Sequence, residues 1–329
     1  MTAQDRVAFV VIGRNEGERL GKCIDSLRRH TDRVVYVDSA STDGSPDLAR
    51  TLGATALVLD ETQLLSAARG RNAGFEEARK LFPHCEFVHF IDGDCILADG
   101  WLEQAVAFMD SNPRVAIACG LRYEANPRAS VYNQLIDQEW NTPVGRAEAS
   151  GGDALVRVSA FEQVGGFNPA LKAGEEPEMA WRMRAAGWEI WRLDGPMTEH
   201  DARLLGFGQW WKRCLRGGFG YAQVWSATRR GRHPVFTRQL RSAFLWMIGV
   251  PLLVCAAAVL FRAPLVLVGI PIAYAVQIAR IAARRHFSRT AWLSGAMLML
   301  AKLPETIGAL SFFLGTKPEQ LADYRATAR

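Results

Sequence analysis

Asp92-Gly93-Asp94 ends the apolar run Phe87-Val88-His89-Phe90-Ile91, so a buried strand delivers two carboxylates to one turn. Carboxylates this close repel one another unless a cation, strong donors or water intervene. Mg²⁺ and Mn²⁺ take oxygen ligands, with phosphate oxygens commonly completing a shell begun by one or two protein carboxylates. The pair therefore points to a metal–diphosphate site, against the plainer reading of a solvated Asp-Gly turn. Three more acids, Glu175, Glu176 and Glu178, flank Pro177 at the start of a helix that carries Met179, Met183 and Ala186 on one face. Acids there suit the helix dipole, but three in four positions leave one for proton transfer. His200, between Glu199 and Asp201, adds an imidazole that could join a Mn²⁺ shell. Gly151-Gly152 before Asp153 lets a ligand approach the backbone closely. Trp210 and Trp211 offer flat apolar faces, either to an acceptor or to lipid headgroups, and cations follow directly at Lys212, Arg213 and Arg216.

Apolar runs at 7–12, 33–37, 54–59 and 87–91 alternate with helical patterns, the clearest being 67–82 with Arg69, Arg71 and Asn72. Strands apolar on both faces imply a mostly parallel, Rossmann-like α/β sheet with helices on both faces. In such sheets ligands sit at the carboxyl ends of strands, where Asp38 and Asp92 both fall. Ser39 to Pro46 forms a polar loop, with Ser45 expected as helix cap and Pro46 as the first helical residue. Further strands are expected at 115–119, 154–158 and 188–193, with a polar, aromatic-bearing stretch containing Tyr123, Tyr132 and Trp140 after the first of them.

The chain of 329 residues is 22% charged with a net charge of +5, enough for one large or two ordinary domains. Six scattered cysteines without a Cys-x-x-Cys pair argue against a disulfide framework or structural zinc. The N-terminus lacks a signal-peptide pattern. Arg229, Arg230, Arg232, Arg238 and Arg241 form an acid-free basic run, and the long uncharged segments directly after it favour membrane lipid over nucleic acid as its partner. These segments, residues 242–261 and 263–279, are separated only by Arg262. They read as a transmembrane hairpin whose flanking arginines keep both ends in the cytoplasm. Residues 290–316 are apolar but interrupted by Lys302-Leu303-Pro304-Glu305. They are expected to be membrane-embedded or interfacial, with a kink or break at Pro304 and with Lys302 spaced to pair with Glu305. The expected division is a catalytic domain over 1–228 and a basic, membrane-attached region over 229–329.

Six segments together resemble the GT-A fold, inverting glycosyltransferases of family 2. They are Val10-Val11-Ile12-Gly13-Arg14-Asn15-Glu16, Val37-Asp38-Ser39-Ala40-Ser41-Thr42-Asp43-Gly44-Ser45, Ala67-Ala68-Arg69-Gly70-Arg71-Asn72-Ala73-Gly74, Phe90-Ile91-Asp92-Gly93-Asp94, Gly165-Gly166-Phe167 and Gly174-Glu175-Glu176. The resemblance covers about the first 220 residues; the apolar C-terminus is more loosely similar to membrane-attached members that build surface polysaccharides or glycolipids. It implies a nucleotide-sugar donor, Mg²⁺ or Mn²⁺, and a lipid-linked or glycan acceptor. Asp38, Arg71 and Asp92 would contact the nucleotide sugar, together with Ser39, Gly152 and Asp153. Asp92 and Asp94 match the metal-binding pair, His200 would complete the shell, and Arg213 and Arg216 would grip the diphosphate. Glu176, beside Glu175, matches the base that deprotonates the acceptor hydroxyl. The chain departs from the family where Glu176 replaces the usual Asp and where Asp38-Ser39 replaces paired aspartates. Gln209-Trp210-Trp211-Lys212-Arg213 lacks the Gln-x-x-Arg-Trp spacing of processive synthases, which favours transfer of a single sugar. The competing readings are a sugar nucleotidyltransferase, for which Gly13-Arg14-Asn15-Glu16-Gly17 is a poor phosphate loop, and a non-catalytic membrane scaffold.

Overall fold

A computed structural model describes residues 3–284 and 286–316. Arg285 and the polar tail from Lys317 lie outside the described residues. The chain packs as two compact units, Met1–Leu205 and Gly206–Arg329.

In the first unit, β1 (Val7–Gly13), β2 (Val34–Asp38), β3 (Thr55–Val58) and β4 (Phe87–Asp92) lie side by side in parallel, in the order β3-β2-β1-β4. Helices α1 (Glu18–Arg28), α2 (Ser45–Thr51) and α3 (Ala67–Leu81) connect them. β1, β2 and all of β4 but its last residue are almost wholly buried, as continuous apolar strands covered on both faces must be. The register pairs Gly13 with Asp38 and Ile12 with Asp92, so the carboxyl ends of three strands align at one edge.

Beyond β4 the sheet becomes mixed. β8 (Ala154–Arg157) runs antiparallel to β4 and to β6 (Val115–Glu124); β6 runs parallel to β9 (Glu189–His200), which the two-residue β7 (Gly145–Arg146) joins antiparallel, and β5 (Cys95–Leu97) closes the edge antiparallel to β9. Two strands outrun the apolar segments that mark them in the sequence. β6 continues through Arg122 to Glu124, and β9 continues through Gly195-Pro196 to His200, with register shifts between them at Cys119–Arg122. These shifts let both strands continue as polar ribbons towards the site. Helix α4 (Trp101–Ser111) precedes β6, the stretch after β6 contains a helix, α5 (Val131–Trp140), capped by the Ser130 hydroxyl, and α6 (Val158–Val164) follows β8. At α2 the cap is Gly44, at φ +80°, rather than Ser45; Ser45 and Pro46 are the first helical residues. Asp43 accounts for the shift, because its Oδ1 accepts from both the Ser45 backbone N (3.0 Å) and the Ser45 hydroxyl (2.6 Å).

The second unit begins with α8 (Phe207–Thr228) and contains, among the described residues, three helices long and apolar enough to cross a membrane: Thr237–Leu260, Pro264–Ala283 and Arg289–Phe313. Because α8 packs on Arg289–Phe313, the division between units falls before α8, whereas the arginine run in the sequence places a boundary after 228. The first apolar helix widens to a π-turn at Leu245–Gly249, just ahead of Pro251, whose missing N–H disturbs the preceding turn. The third runs unbroken through Pro304, and Lys302 pairs with Glu305 at 2.6 Å. α8 and the third helix meet backbone to backbone. A Cβ on Gly308 would lie 2.0 Å from the Leu215 carbonyl oxygen, and one on Gly218 would lie 2.0 Å from that of Glu305. Small residues make such crossings possible. Gly308→Val is expected to force the helices apart at a cost of about 1–3 kcal/mol, measurable as a lower unfolding temperature of the detergent-solubilised protein.

Candidate functional site

The turn after β4 sits where three loops converge. The loops after β1 and β2 are laced together: Asn15 N donates to Ser41 Oγ (2.8 Å), Thr42 N to Asn15 Oδ1 (2.8 Å) and Gly17 N to Asp43 Oδ2 (3.1 Å). Asp38 is fully buried beneath them. It accepts from the Tyr36 hydroxyl (2.7 Å), the Ser41 hydroxyl (2.5 Å) and Ser41 N (2.7 Å). Its carboxylate therefore braces its own loop, while Ser39 N donates to Gly13 O (2.9 Å) and fixes where that loop leaves the sheet.

Asp92 is gripped from both sides. Arg71, from α3, donates to Oδ1 at 2.8 Å, and Arg122, from β6, donates to Oδ2 at 3.0 Å. Arg71 also donates to Glu175 Oε1 at 2.6 Å, which ties the turn to the first residue of α7 (Glu175–Ala185). Arg122 reaches Asp153 Oδ2 with its Nε at 3.3 Å and lies 4.9 Å from the centre of the Trp140 ring. Asp153 in turn accepts from Asp92 N (3.0 Å) and the Thr198 hydroxyl (2.8 Å). Burial opposes the charge on Arg71 and Arg122, but the surrounding carboxylates overcome it and hold both guanidinium groups above their ordinary value. Gly152 closes the cluster from above. A Cβ there would come within 3.1 Å of Asp92 Oδ2 and 3.2 Å of nitrogens on both Arg71 and Arg122, so its backbone lies directly on the charged groups.

Asp94 points the other way. Its Oδ1 is 3.3 Å from His200 Nε2, and His200 Nδ1 is 3.8 Å from Glu124 Oε2. Two ligands of one Mn²⁺ or Mg²⁺ at right angles, each about 2.1 Å from the ion, lie about 3 Å apart, so the Asp94–His200 separation fits a shared cation. Carboxylate and imidazole also suit these ions chemically. Cys95 is the third ligand-type side chain here, within 4.8 Å of the others, but burial raises its thiol well above the ordinary value, and sulfur is a poor donor to hard cations. Burial and the nearby Arg122 pull the His200 imidazole down, yet Asp94 and Glu124 together hold it above its ordinary value. Of the aspartate pair, Asp94 lies beside His200, while the oxygens of Asp92 are engaged by two arginines.

Glu176 is buried in the first turn of α7. Its Oε1 accepts from Ser150 N and the Ser150 hydroxyl, both at 2.8 Å, and its Oε2 from Gly151 N at 3.1 Å. Burial raises its pKa to about 7, against the lowering effect of these hydrogen bonds. Four lone-pair directions and three donors leave one for a substrate proton. Glu178 instead pairs with Arg182 at 2.7 Å along its own helix.

The site thus gathers Asp92, Asp94, Asp153, Gly152, Arg71, Glu175, Glu176 and His200. Arg122 and Glu124 are not singled out in the sequence, and Trp140 stands out there only as one aromatic of a polar stretch. The first two lie on one face of an extended β6, a period-2 signal present in Arg122-Tyr123-Glu124 but masked by the polarity of the stretch. Trp210, Trp211, Arg213 and Arg216 belong to the second unit, on the first half of α8, where Trp210 and Trp211 both pack beside Phe207.

Residues 8–165 match the family model described as glycosyl transferase family 2, and residues 87–301 match that of glycosyl transferase family group 2. The chain is 26% identical over 248 residues to glycosyltransferase AglE of Haloferax volcanii, covering 71% of this chain and 79% of that protein. It is 25% identical over 274 residues to the succinoglycan biosynthesis protein ExoA of Rhizobium meliloti, covering 75% and 81%. Its structure is similar to that of a mannosyltransferase from Pyrobaculum calidifontis in complex with GDP-Man and Mn²⁺. The TM-score is 0.61 at 19% identity, over 93% of this chain and 87% of that one, a likeness that shows the GT-A fold.

Proposed function

The chain belongs to glycosyltransferase family 2, and from that premise we propose that it transfers one sugar, with inversion, from a nucleotide-diphosphate sugar to a lipid-linked or polysaccharide-precursor acceptor at the cytoplasmic membrane. The observation that carries this reading is the Arg71 bridge. One guanidinium holds Asp92 of the aspartate turn at 2.8 Å and Glu175, next to the candidate base, at 2.6 Å. Donor turn and base are thereby fixed against each other, as an in-line displacement requires.

In this reading Glu176 accepts the proton of the acceptor hydroxyl, and its raised pKa suits a base working near neutrality. Asp94 and His200 hold Mg²⁺ or Mn²⁺, and the cation, when bound, offsets the negative charge that develops on the departing nucleotide diphosphate. Arg71 and Arg122 keep Asp92 oriented, Asp153 fixes the backbone of Asp92, and Gly152 leaves room for the donor above the cluster. Asp38 and Ser39 shape the loop against which the nucleotide lies, and Arg213 and Arg216 are assigned to the diphosphate. Trp210 and Trp211 are assigned to the acceptor. The fold of the Mn²⁺-bound mannosyltransferase supports the metal assignment, and the polysaccharide context of ExoA supports the acceptor class.

The test is donor-dependent: a panel of nucleotide sugars is screened for Mn²⁺- or Mg²⁺-dependent hydrolysis or transfer by the full-length protein. Release of diphosphate from a nucleoside triphosphate, with no use of nucleotide sugars, would instead support a nucleotidyltransferase. Asp94→Asn is expected to abolish high-affinity Mn²⁺ binding measured by electron paramagnetic resonance while leaving the fold intact. Undiminished Mn²⁺ binding would remove Asp94 from the metal shell.

A further inference from the structure

The helix Arg289–Phe313 is long and apolar enough to span a bilayer, but its neighbours within the second unit place its two ends on the same side of one. The first two apolar helices form an antiparallel hairpin: Tyr274 donates its hydroxyl to the Trp246 carbonyl at 2.8 Å, and Val254 lies against Gly269. The open end of this hairpin is marked by Thr237–Phe244 on one helix and by Ile278–Ala283 on the other, and the closed end by Arg262. Near its start, the third helix packs on the open end of the hairpin. A Cβ on Gly295 would meet the Ile278 carbonyl oxygen at 3.0 Å and Ile281 Cβ at 3.5 Å.

A helix that rose from there across the membrane would climb about 1.5 Å per residue and bring residue 309 close to the level of the Arg262 turn. Instead, Ala309 clusters with Leu240 and Ala222, and Phe313 lies 6.4 Å from Phe244, ring centre to ring centre. Both ends of the third helix thus contact the open end of the hairpin. Its middle and end also pack on α8, through Glu305 against Gly218, Gly308 against Leu215, and Phe312 against Phe219 at 5.4 Å. That portion of α8 lies next to Lys212, Arg213 and Arg216, which hydrocarbon would not accommodate cheaply.

We propose that Arg289–Phe313 does not cross the membrane but lies along the headgroup layer of the cytoplasmic leaflet, passing under the open end of the hairpin with α8 beside it. The side chains fit this placement. Ala291, Ser294, Gly295, Ala301, Glu305 and Ala309 are buried within the unit, while Leu293, Leu300, Ile307, Leu310 and Phe313 are exposed and apolar. The exposed residues form the surface that meets lipid. The arginines flanking the hairpin, Arg238, Arg241, Arg280 and Arg284, and Arg289 at the start of the third helix gather at the same level and match an anionic lipid surface. The inference rests on the membrane attachment proposed with the function, and its test separates the two.

Single cysteines are introduced into the full-length chain with Cys255 replaced by Ser, and labelled with an impermeant maleimide in intact and opened cells. Arg262→Cys is expected to react in intact cells, and Leu314→Cys only after the cells are opened. Labelling of Leu314→Cys in intact cells would overturn the proposal. If Arg262→Cys also reacts only in opened cells, the hairpin itself does not span, and the proposal falls with it. A fluorophore at Leu293, Leu300 or Ile307, quenched by lipids spin-labelled at different depths, is expected to give one shallow depth at all three positions. A depth profile that peaks at Leu300 would show a span and overturn the proposal.

Discussion

Glu176→Gln is expected to lower kcat for sugar transfer by about 10²–10⁴-fold, the contribution typical of a positioned general base, while the KM for the nucleotide sugar changes little. The amide keeps the shape of the side chain but has no lone pair basic enough to take the acceptor proton. The pH profile makes the assignment specific. Glu176 titrates at about 7 in the folded protein, so the basic form accumulates and kcat/KM rises as pH increases through that value. Glu176→Gln is expected to lose this limb. The sign for stability is opposite. The folded state holds this proton more tightly than the unfolded chain does, so the contribution of Glu176 to stability is present at low pH and is lost as pH rises through about 7. Retention of full transfer activity by Glu176→Gln would remove Glu176 from the mechanism.

The second large effect is expected at a residue without an assigned chemical step. Arg122→Met keeps an apolar stem and removes the guanidinium, leaving Asp92 and Asp153 without their shared partner. Removing one member of a buried ion pair costs about 3–5 kcal/mol. The two contacts, at 3.0 Å and 3.3 Å, are both largely shielded from water. Chemical denaturation of the variant is expected to show a midpoint lowered accordingly. A midpoint within error of the parent would mean that Arg71 alone carries Asp92.

The contrast between these two residues shows what the sequence discloses. Glu176 is legible because a helix start, a proline and a family pattern coincide at one place. Asp92 and Asp94 are legible because an apolar strand ends on them. Arg122 is not, because the segment that carries it reads as a polar connection, and only its pairing with β9 makes it a strand. Asp38 shows the reverse case. Its position at a strand end is visible in the sequence, but the hydrogen bonds that turn its carboxylate into its own loop depend on Tyr36 and Ser41 taking particular rotamers. The three apolar helices are equally plain from composition, yet composition does not distinguish a span from a helix lying flat, because that depends on which ends meet.

The cross-strand pairing of Cys95 with His200 brings Asp94 and His200 together although they are far apart in the chain. A cation held by both would act as a clasp on the short edge strand β5. Since the unfolded chain offers no such paired ligands, occupancy adds to folding free energy, by about 2.7 kcal/mol when the free ion is at one hundred times its Kd. Melting temperature recorded against a series of divalent ions would therefore rank their affinities before any donor sugar or acceptor had been identified.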